Sequence, residues 1–506
     1  MSFSELLELC RHYTGTLREL GLERGQRALM MVPNGPEFVA LTFAVFRVGA
    51  LPVLIDPGMG LKPMLRCIEH AHPDFLIGIR KAHLLRTVFR KAFASLRQAI
   101  SVDGAFPGAH RLTAQGPRVV DLASTHQDEP AAILFTSGST GPAKGVVYRH
   151  GIFQTQVACL RDTFGFQAGE IDLPGFPLFA LFSTALGLTC VLPELNPSRP
   201  ATCDPVKIVR AIQEFGVNNL QGSPAIWTRV GRWCEQHCVR LPSLKRLLTF
   251  GAPIPPALMA QWADIMPPEA ELYTPYGATE ALPLSSITAR EVLRETAVLS
   301  AAGAGTCVGR PLPGVELAIL AITDEAIPEW REDLVLPAGE YGEVAVAGPM
   351  VTWEYDGLPE ETRRSKIRQG DRIWHRMGDM GYLDEQGRVW LLGRKSHRVE
   401  GRVRYYPEQA EGMVNPHPLV ARSALVGVGE RGAQAPVLVV EPEAEALKYD
   451  RRRQEELAGA LRRILSEHPV YRDVEKVLYH PAFPVDPRHN AKIHREELAA
   501  WASKRS

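Results

Sequence analysis

The sequence predicts an α/β fold: a large N-terminal domain of stacked αβ sheets with a small β-barrel subdomain, followed by a small mobile α+β C-terminal domain. Three observations carry this expectation. The chain has 506 residues with 45% hydrophobic content, more than one core organises, since single cores stop growing near roughly 250–300 residues. Short apolar runs of strand type alternate with helical patterns through the first half, the rhythm of parallel βαβ layers. After Val315 the texture changes to strands separated by tight turns, and beyond Gly393 it changes again.

Taken in order, Ser4 to Leu22 places apolar residues at helical spacing. Buried-strand runs follow at Ala28–Val32 and Leu51–Ile55, on either side of an apolar helix from Phe38 to Val48. The same pattern recurs at Phe75–Gly78, Ala131–Phe135, Asn218–Gly222 and Leu247–Gly251, and loops at the carboxyl ends of such strands are where a site is expected. Gly342–Gly348 and the turn Asp384-Glu385-Gln386-Gly387 between two aromatic-rich runs predict the antiparallel subdomain, about residues 315–393. A hinge is expected at 394–397. Residues 398–506 then offer strands at Ser423–Val428 and Val437–Val440 and a charged helix from Asp450 to Glu467.

The run Thr136-Ser137-Gly138-Ser139-Thr140-Gly141-Pro142-Ala143-Lys144-Gly145-Val146 follows directly on a strand. Its glycines let backbone N–H groups approach an anion, while four hydroxyls and Lys144 add donors and charge, a composition suited to polyphosphate. It is not a Walker loop, because Gly145 rather than Ser or Thr follows the lysine.

Composition narrows the classes further. Lys+Arg and Asp+Glu both total 57, so no net field draws the chain to nucleic acid or to an anionic membrane, and small molecules or proteins are the expected partners. The N-terminus shows no secretory signal, and apolar stretches such as Phe38 to Phe46 fall short of the ~20 residues that span a bilayer, so a cytoplasmic location with no transmembrane segment is expected. The eight cysteines are scattered and read as reduced thiols. Cys234, His237 and Cys238 read as helix packing rather than zinc, since no second pair follows at metal spacing.

Five motifs stand in one order: Thr136 to Val146, Tyr276-Gly277-Ala278-Thr279-Glu280, Met377-Gly378-Asp379, Gly393-Arg394 and the late Lys492. Together they resemble the adenylate-forming superfamily of acyl-CoA synthetases, peptide-synthetase adenylation domains and luciferases, over nearly the whole length. Pro33 to Phe38, Val53 to Gly60, Phe176 to Leu181 and Gly393 to Val399 are most similar to the olefin-pathway β-lactone synthetases, the OleC type.

That resemblance implies ATP and Mg²⁺ as cofactors and assigns roles residue by residue. Thr136, Ser137, Gly138, Ser139, Thr140, Gly141 and Lys144 would hold the outer phosphates. Thr279 would donate to the α-phosphate and Glu280 would help bind Mg²⁺, although alone the pair also reads as a helix cap. Tyr276 and Gly277, with Gly251, Ala252 and Pro253 opposite, would flank adenine. Asp379 would accept the ribose hydroxyls beside Arg394, and Lys492 would bridge the attacking carboxylate and the α-phosphate once the mobile domain closes.

Departures from acyl-CoA synthetases separate the subfamilies. The positions after Gly393-Arg394 read Lys395-Ser396-His397, which puts thioester formation in doubt, and Ala180 stands where CoA-forming members often carry His. A roomy apolar acyl pocket is expected from Phe179, Phe182 and Trp227, with Phe176, Leu178, Leu181, Leu186, Pro224 and Ile226. The implied reaction is adenylation of a long-chain 2-alkyl-3-hydroxy acid and closure to a β-lactone, with His150 and His397 as candidate bases. A long-chain acyl-CoA synthetase and a non-catalytic nucleotide- or lipid-binding paralogue are the competing expectations. The resemblance further implies assembly with the β-lactone decarboxylase and reductase of the olefin route.

Overall fold

A computed structural model describes residues 1–135, 143–443, 450–485 and 493–505. Two seven-stranded sheets dominate. The first runs in the order His110–Arg111, Gln98–Ser101, Phe75–Gly78, Arg27–Met31, Leu51–Ile55, Pro130–Phe135 and Gly145–Arg149, parallel except for its last pair. Its central strands are buried apolar runs, as parallel strands covered on both faces must be. The helix Pro36–Val48 stops at Gly49, whose φ of 82° supplies the left-handed cap that returns the chain to strand Leu51–Ile55.

The second sheet is ordered Arg310–Pro311, Ala281–Thr288, Glu271–Ala278, Arg246–Thr249, Asn219–Gly222, Ile171–Pro174 and Thr189–Cys190. Strands Glu271–Ala278 and Ala281–Thr288 form an antiparallel hairpin at one side of an otherwise mostly parallel set. Helix Pro224–Gln236 covers this sheet with Ile226, Trp227, Val230 and Cys234, all buried, packed beside Trp262.

A third sheet is antiparallel: Thr306–Cys307, Val389–Arg394, Arg372–Leu383, Gly342–Ala347 and Glu316–Leu320, with Lys366–Gln369 also pairing on Arg372–Leu383. The expected turn at Asp384 to Gly387 joins strands Arg372–Leu383 and Val389–Arg394. This sheet takes in a strand from before residue 315, and its ladder runs open from Thr306–Cys307 to Glu316–Leu320. After it, strands Val420–Val428, Ala435–Pro442 and Lys476–Tyr479 form a small sheet packed by helices Pro407–Val414, Arg451–Ser466 and Arg495–Ser503. No described helix is long and apolar enough to cross a membrane.

Candidate active site

The three large sheets and the last small one converge on a cleft of about 2840 Å³. Lys144, Gly251, Ala252, Pro253, Tyr276, Gly277, Thr279, Glu280, Asp379 and Arg394 all line it, so positions spread over 250 residues of sequence meet at one surface. Thr136, Ser137, Gly138, Ser139, Thr140 and Gly141, and Lys492, lie outside the described residues.

Thr279 and Glu280 occupy the tip of the hairpin, where Ala278 pairs with Ala281. They are not a helix cap. Gly277 is needed because a Cβ there would stand 2.7 Å from the Ala281 carbonyl and 2.8 Å from the Leu282 side chain. The tip is tied down on every side. Tyr148 Oη donates to the Thr279 carbonyl at 2.6 Å, Thr352 N and Oγ1 donate to the Glu280 carbonyl at 2.9 and 2.8 Å, and Tyr355 Oη donates to Glu280 Oε1 at 2.8 Å. Beneath lies Lys366, only 5% exposed, donating from Nζ to the Thr352 carbonyl and hydroxyl. Burial pushes its ammonium down to about 7.

Lys144 sits where the Gly-rich run enters strand Gly145–Arg149, 5.0 Å above the Tyr355 ring and paired with Glu361. Asp379 and Arg394 are direct cross-strand partners. Arg394 Nη1 donates to Asp379 Oδ1 at 2.9 Å and Tyr276 Oη to Oδ2 at 2.6 Å, so both carboxylate oxygens face a donor. Burial, with the Asp379 charge beside it, holds the Tyr276 hydroxyl well above its ordinary range, which keeps it a donor at any working pH. Gly251 follows strand Arg246–Thr249 with φ 94°, a left-handed turn that brings the 251–253 backbone edge to the cleft.

Phe179 and Phe182 line the same cleft, Phe179 packing against Phe250 with centroids 4.6 Å apart. Trp227 does not. It is fully buried, edge-on to Trp262 at 5.8 Å, and its carbonyl accepts from Trp262 Nε1 at 3.0 Å. Helical phase is the reason: on Pro224–Gln236 the cleft side carries Ala225, Thr228, Arg229, Arg232 and Trp233, whereas Trp227 shares the sheet-facing stripe with Val230 and Cys234. Trp233 is therefore the aromatic residue of this helix that reaches the cavity. Of Phe176, Leu178, Leu181, Leu186, Pro224 and Ile226, only Pro224 is on the wall. Steps of four from Ala225 lead through Arg229 to Trp233.

His150 lines a separate apolar recess with Phe3 and Phe46, away from the cleft, so geometry removes it as a base. His397 does line the cleft, and burial, then Arg495 and Arg394, push its imidazole down to about 3. It stands neutral but weakly basic. Lys395 Nζ reaches back to Glu343 Oε2 and the Thr323 carbonyl, both at 3.0 Å, while Glu343 is buried against Arg376 at 2.6 Å. Among the described residues no group of three or more His, Cys, Asp or Glu could hold a metal alone. Glu280 still fits Mg²⁺, a hard ion that takes one or two carboxylates and fills its shell with phosphate and water oxygens.

Residues 1–355 match the AMP-binding enzyme family. The chain is 45% identical to the olefin beta-lactone synthetase of Xanthomonas campestris pv. campestris, covering 99% of this chain and 91% of that one. The chain belongs to the AMP-binding enzyme family, beside its olefin β-lactone synthetases. A second such synthetase, from Stenotrophomonas maltophilia, is 46% identical over 96% of this chain and 88% of its own. As an AMP-binding enzyme the protein is an ATP-dependent adenylate-forming ligase. Solved structures share its fold: the amide bond synthetase McbA from Marinactinospora thermotolerans, with a TM-score of 0.81 at 23% identity over 99% of this chain and 95% of that one, is one. The O-succinylbenzoate Coenzyme A synthetase from Bacillus subtilis, solved in complex with ATP and a magnesium ion, is another, with a TM-score of 0.76 at 21% identity over 98% and 94%.

Proposed function

We propose that this AMP-binding enzyme is a β-lactone synthetase acting on long-chain 2-alkyl-3-hydroxy fatty acids in olefin biosynthesis. The observation that carries the substrate assignment is the 45% identity to an olefin beta-lactone synthetase across 99% of the chain. The cleft supports it chemically. A carboxylate oxygen of the acid attacks the α-phosphorus of ATP, the bond to the β-phosphate oxygen breaks, and pyrophosphate leaves. The β-hydroxyl oxygen of the acyl-adenylate then attacks its own carbonyl carbon, the bond from that carbon to the phosphate oxygen breaks, AMP departs and the hydroxyl proton is released. Proximity favours the second step, because nucleophile and electrophile lie in one molecule.

In this reading Tyr276 and the 251–253 edge flank adenine, Asp379 accepts the ribose hydroxyls, and Lys144 with Thr136, Ser137, Gly138, Ser139, Thr140 and Gly141 holds the outer phosphates. Thr279 donates to the α-phosphate and Lys492 bridges it to the carboxylate where negative charge gathers. Mg²⁺, held by Glu280, would neutralise phosphate charge. Residues 1–393 form the nucleotide domain, 394–397 the hinge and 398–506 the mobile domain; a cytoplasmic location and assembly with the decarboxylase and reductase of the same route complete the proposal. The test is product analysis by mass spectrometry after incubating the protein with ATP, Mg²⁺ and a synthetic 2-alkyl-3-hydroxy acid. A β-lactone and AMP formed without CoA is the expected result. AMP without any lactone, or turnover of simple fatty acids that requires CoA, overturns it in favour of an acyl-CoA synthetase.

A further inference from the structure

The segment 351–355 runs beside the hairpin tip and holds Glu280 twice. Val351 bridges to Ala281, and Thr352 donates from N and Oγ1 to the Glu280 carbonyl at 2.9 and 2.8 Å. Three residues further on, Tyr355 Oη donates to Glu280 Oε1 at 2.8 Å. Tyr355 is only 6% exposed, packed among Ala132, Val146, Tyr148 and Ile152, and its backbone bridges to Val146. Next to it, Asp356 N donates to the Gly145 carbonyl at 2.7 Å, and the Asp356 carboxylate accepts from Arg27 Nη1 and Nη2 at 2.9 and 2.7 Å. The phenol is therefore placed by strand Gly145–Arg149 and by Arg27 of the first sheet, independently of the carboxylate it touches. Glu280, by contrast, is half-buried on the cleft wall. Among the described residues its Oε2 takes no hydrogen bond, and that oxygen is not sealed from solvent. A rigid donor thus occupies one oxygen of the carboxylate and leaves the other unengaged.

We infer that Tyr355 is the positioning residue of the magnesium site, its hydroxyl holding Glu280 Oε1 so that Oε2 is ready for the ion. The inference rests on the assignment of Mg²⁺ to Glu280 proposed above. A glutamate side chain loses rotamer freedom when it binds an ion, and one that is already held has less to lose. A donor behind a metal-binding carboxylate also sets its orientation, and loss of such a donor weakens metal binding about 10- to 100-fold. The ring of Tyr355 has a second neighbour, for Lys144 Nζ stands 5.0 Å from its centroid. Hydroxyl and ring therefore serve different groups, and phenylalanine in place of the tyrosine removes the first while keeping the second.

The test is calorimetric titration of α,β-methylene-ATP into the full-length protein, once with Mg²⁺ and once with EDTA, the ratio of the two affinities giving what the ion adds. Mg²⁺ is expected to tighten binding to the wild type. Tyr355→Phe should weaken binding in Mg²⁺ about tenfold or more while its affinity in EDTA stays within about threefold of wild type, and Glu280→Gln should lose at least as much in Mg²⁺. Tyr355→His, which keeps a ring with a donor, should lose less and serves if the Phe variant misfolds. A wild-type response to Mg²⁺ in Tyr355→Phe, with that response lost in Glu280→Gln, overturns the inference alone. No loss in Glu280→Gln, or a wild type indifferent to Mg²⁺, overturns the metal assignment and the inference together. Failure of the lactone-forming function is seen separately, as absence of lactone from the wild type in the product assay.

Discussion

Asp379 is held from two sides at the cleft wall. Its two oxygens already face Arg394 and the Tyr276 hydroxyl, so the carboxylate is oriented, and under the proposed function a ribose would meet a group that needs no reorganisation. Asp379→Asn keeps the shape but removes the charge and turns one acceptor into a donor. Loss of a charged hydrogen bond costs about 1.5–3 kcal/mol, so KM for ATP measured by pyrophosphate release should rise roughly 10- to 100-fold. An unchanged KM would remove Asp379 from the nucleotide site. Tyr276, Asp379 and Arg394 were each legible in the sequence as members of ordered motifs. Tyr355 and Lys366 were not, because each owes its position to a contact distant in sequence, such as that between Tyr355 and Glu280.

At the scale of elements, helix Phe179–Ala185 is fastened to the second sheet by a buried polar clasp. Asp172 on strand Ile171–Pro174 accepts from Ser183 Oγ at 2.5 Å on helix Phe179–Ala185 and from Gln221 Nε2 at 2.9 Å on strand Asn219–Gly222. Its Oδ1 has no partner among the described residues, and burial raises the carboxyl to about 7 from an ordinary 3.8. A raised folded-state value means the stability is fully present below about pH 4 and is lost as pH rises through about 7, since the unfolded chain ionises freely and the folded one resists. Three pH units correspond to on the order of 4 kcal/mol. Urea unfolding of the wild type and Asp172→Asn from pH 4 to 8 should show the wild type losing stability relative to the variant across that window. Parallel pH profiles would mean that Asp172 ionises as readily folded as unfolded. The Trp227 expectation failed at this same scale, for a helix presents one stripe to its sheet and another to the cleft, and residue type alone does not say which.

At the scale of the whole molecule, the last small sheet and its helices meet the large sheets at one cleft. Lys395 ties the chain after strand Val389–Arg394 to Glu343 of the antiparallel sheet, and helices Pro407–Val414 and Arg495–Ser503 are joined by Arg495, bidentate on Glu411. Both Glu411 and Arg495 line the cleft, so the last domain already forms part of its wall. If Lys492 enters on closure, Lys492→Ala should reduce acid-dependent pyrophosphate release by about three orders of magnitude, the scale of a lost electrostatic contact to the transition state. ATP affinity, measured by calorimetry, should stay within about threefold. Equal loss of binding and turnover would place the lysine in ground-state nucleotide binding instead.

Periodicity and motif order were sufficient for the layered α/β architecture, since a strand such as Phe75–Gly78 or Leu51–Ile55 is apolar whichever neighbour it pairs with. They named also Lys144, Tyr276, Thr279, Glu280, Asp379 and Arg394, which the fold brings to one cleft. The tertiary structure alone decided which helix faces meet the cleft, that Thr279 and Glu280 cap a hairpin rather than a helix, and that His150 and His397 line different cavities. Those outcomes depend on burial and on long-range pairing, and a linear pattern encodes neither until the chain has closed on itself.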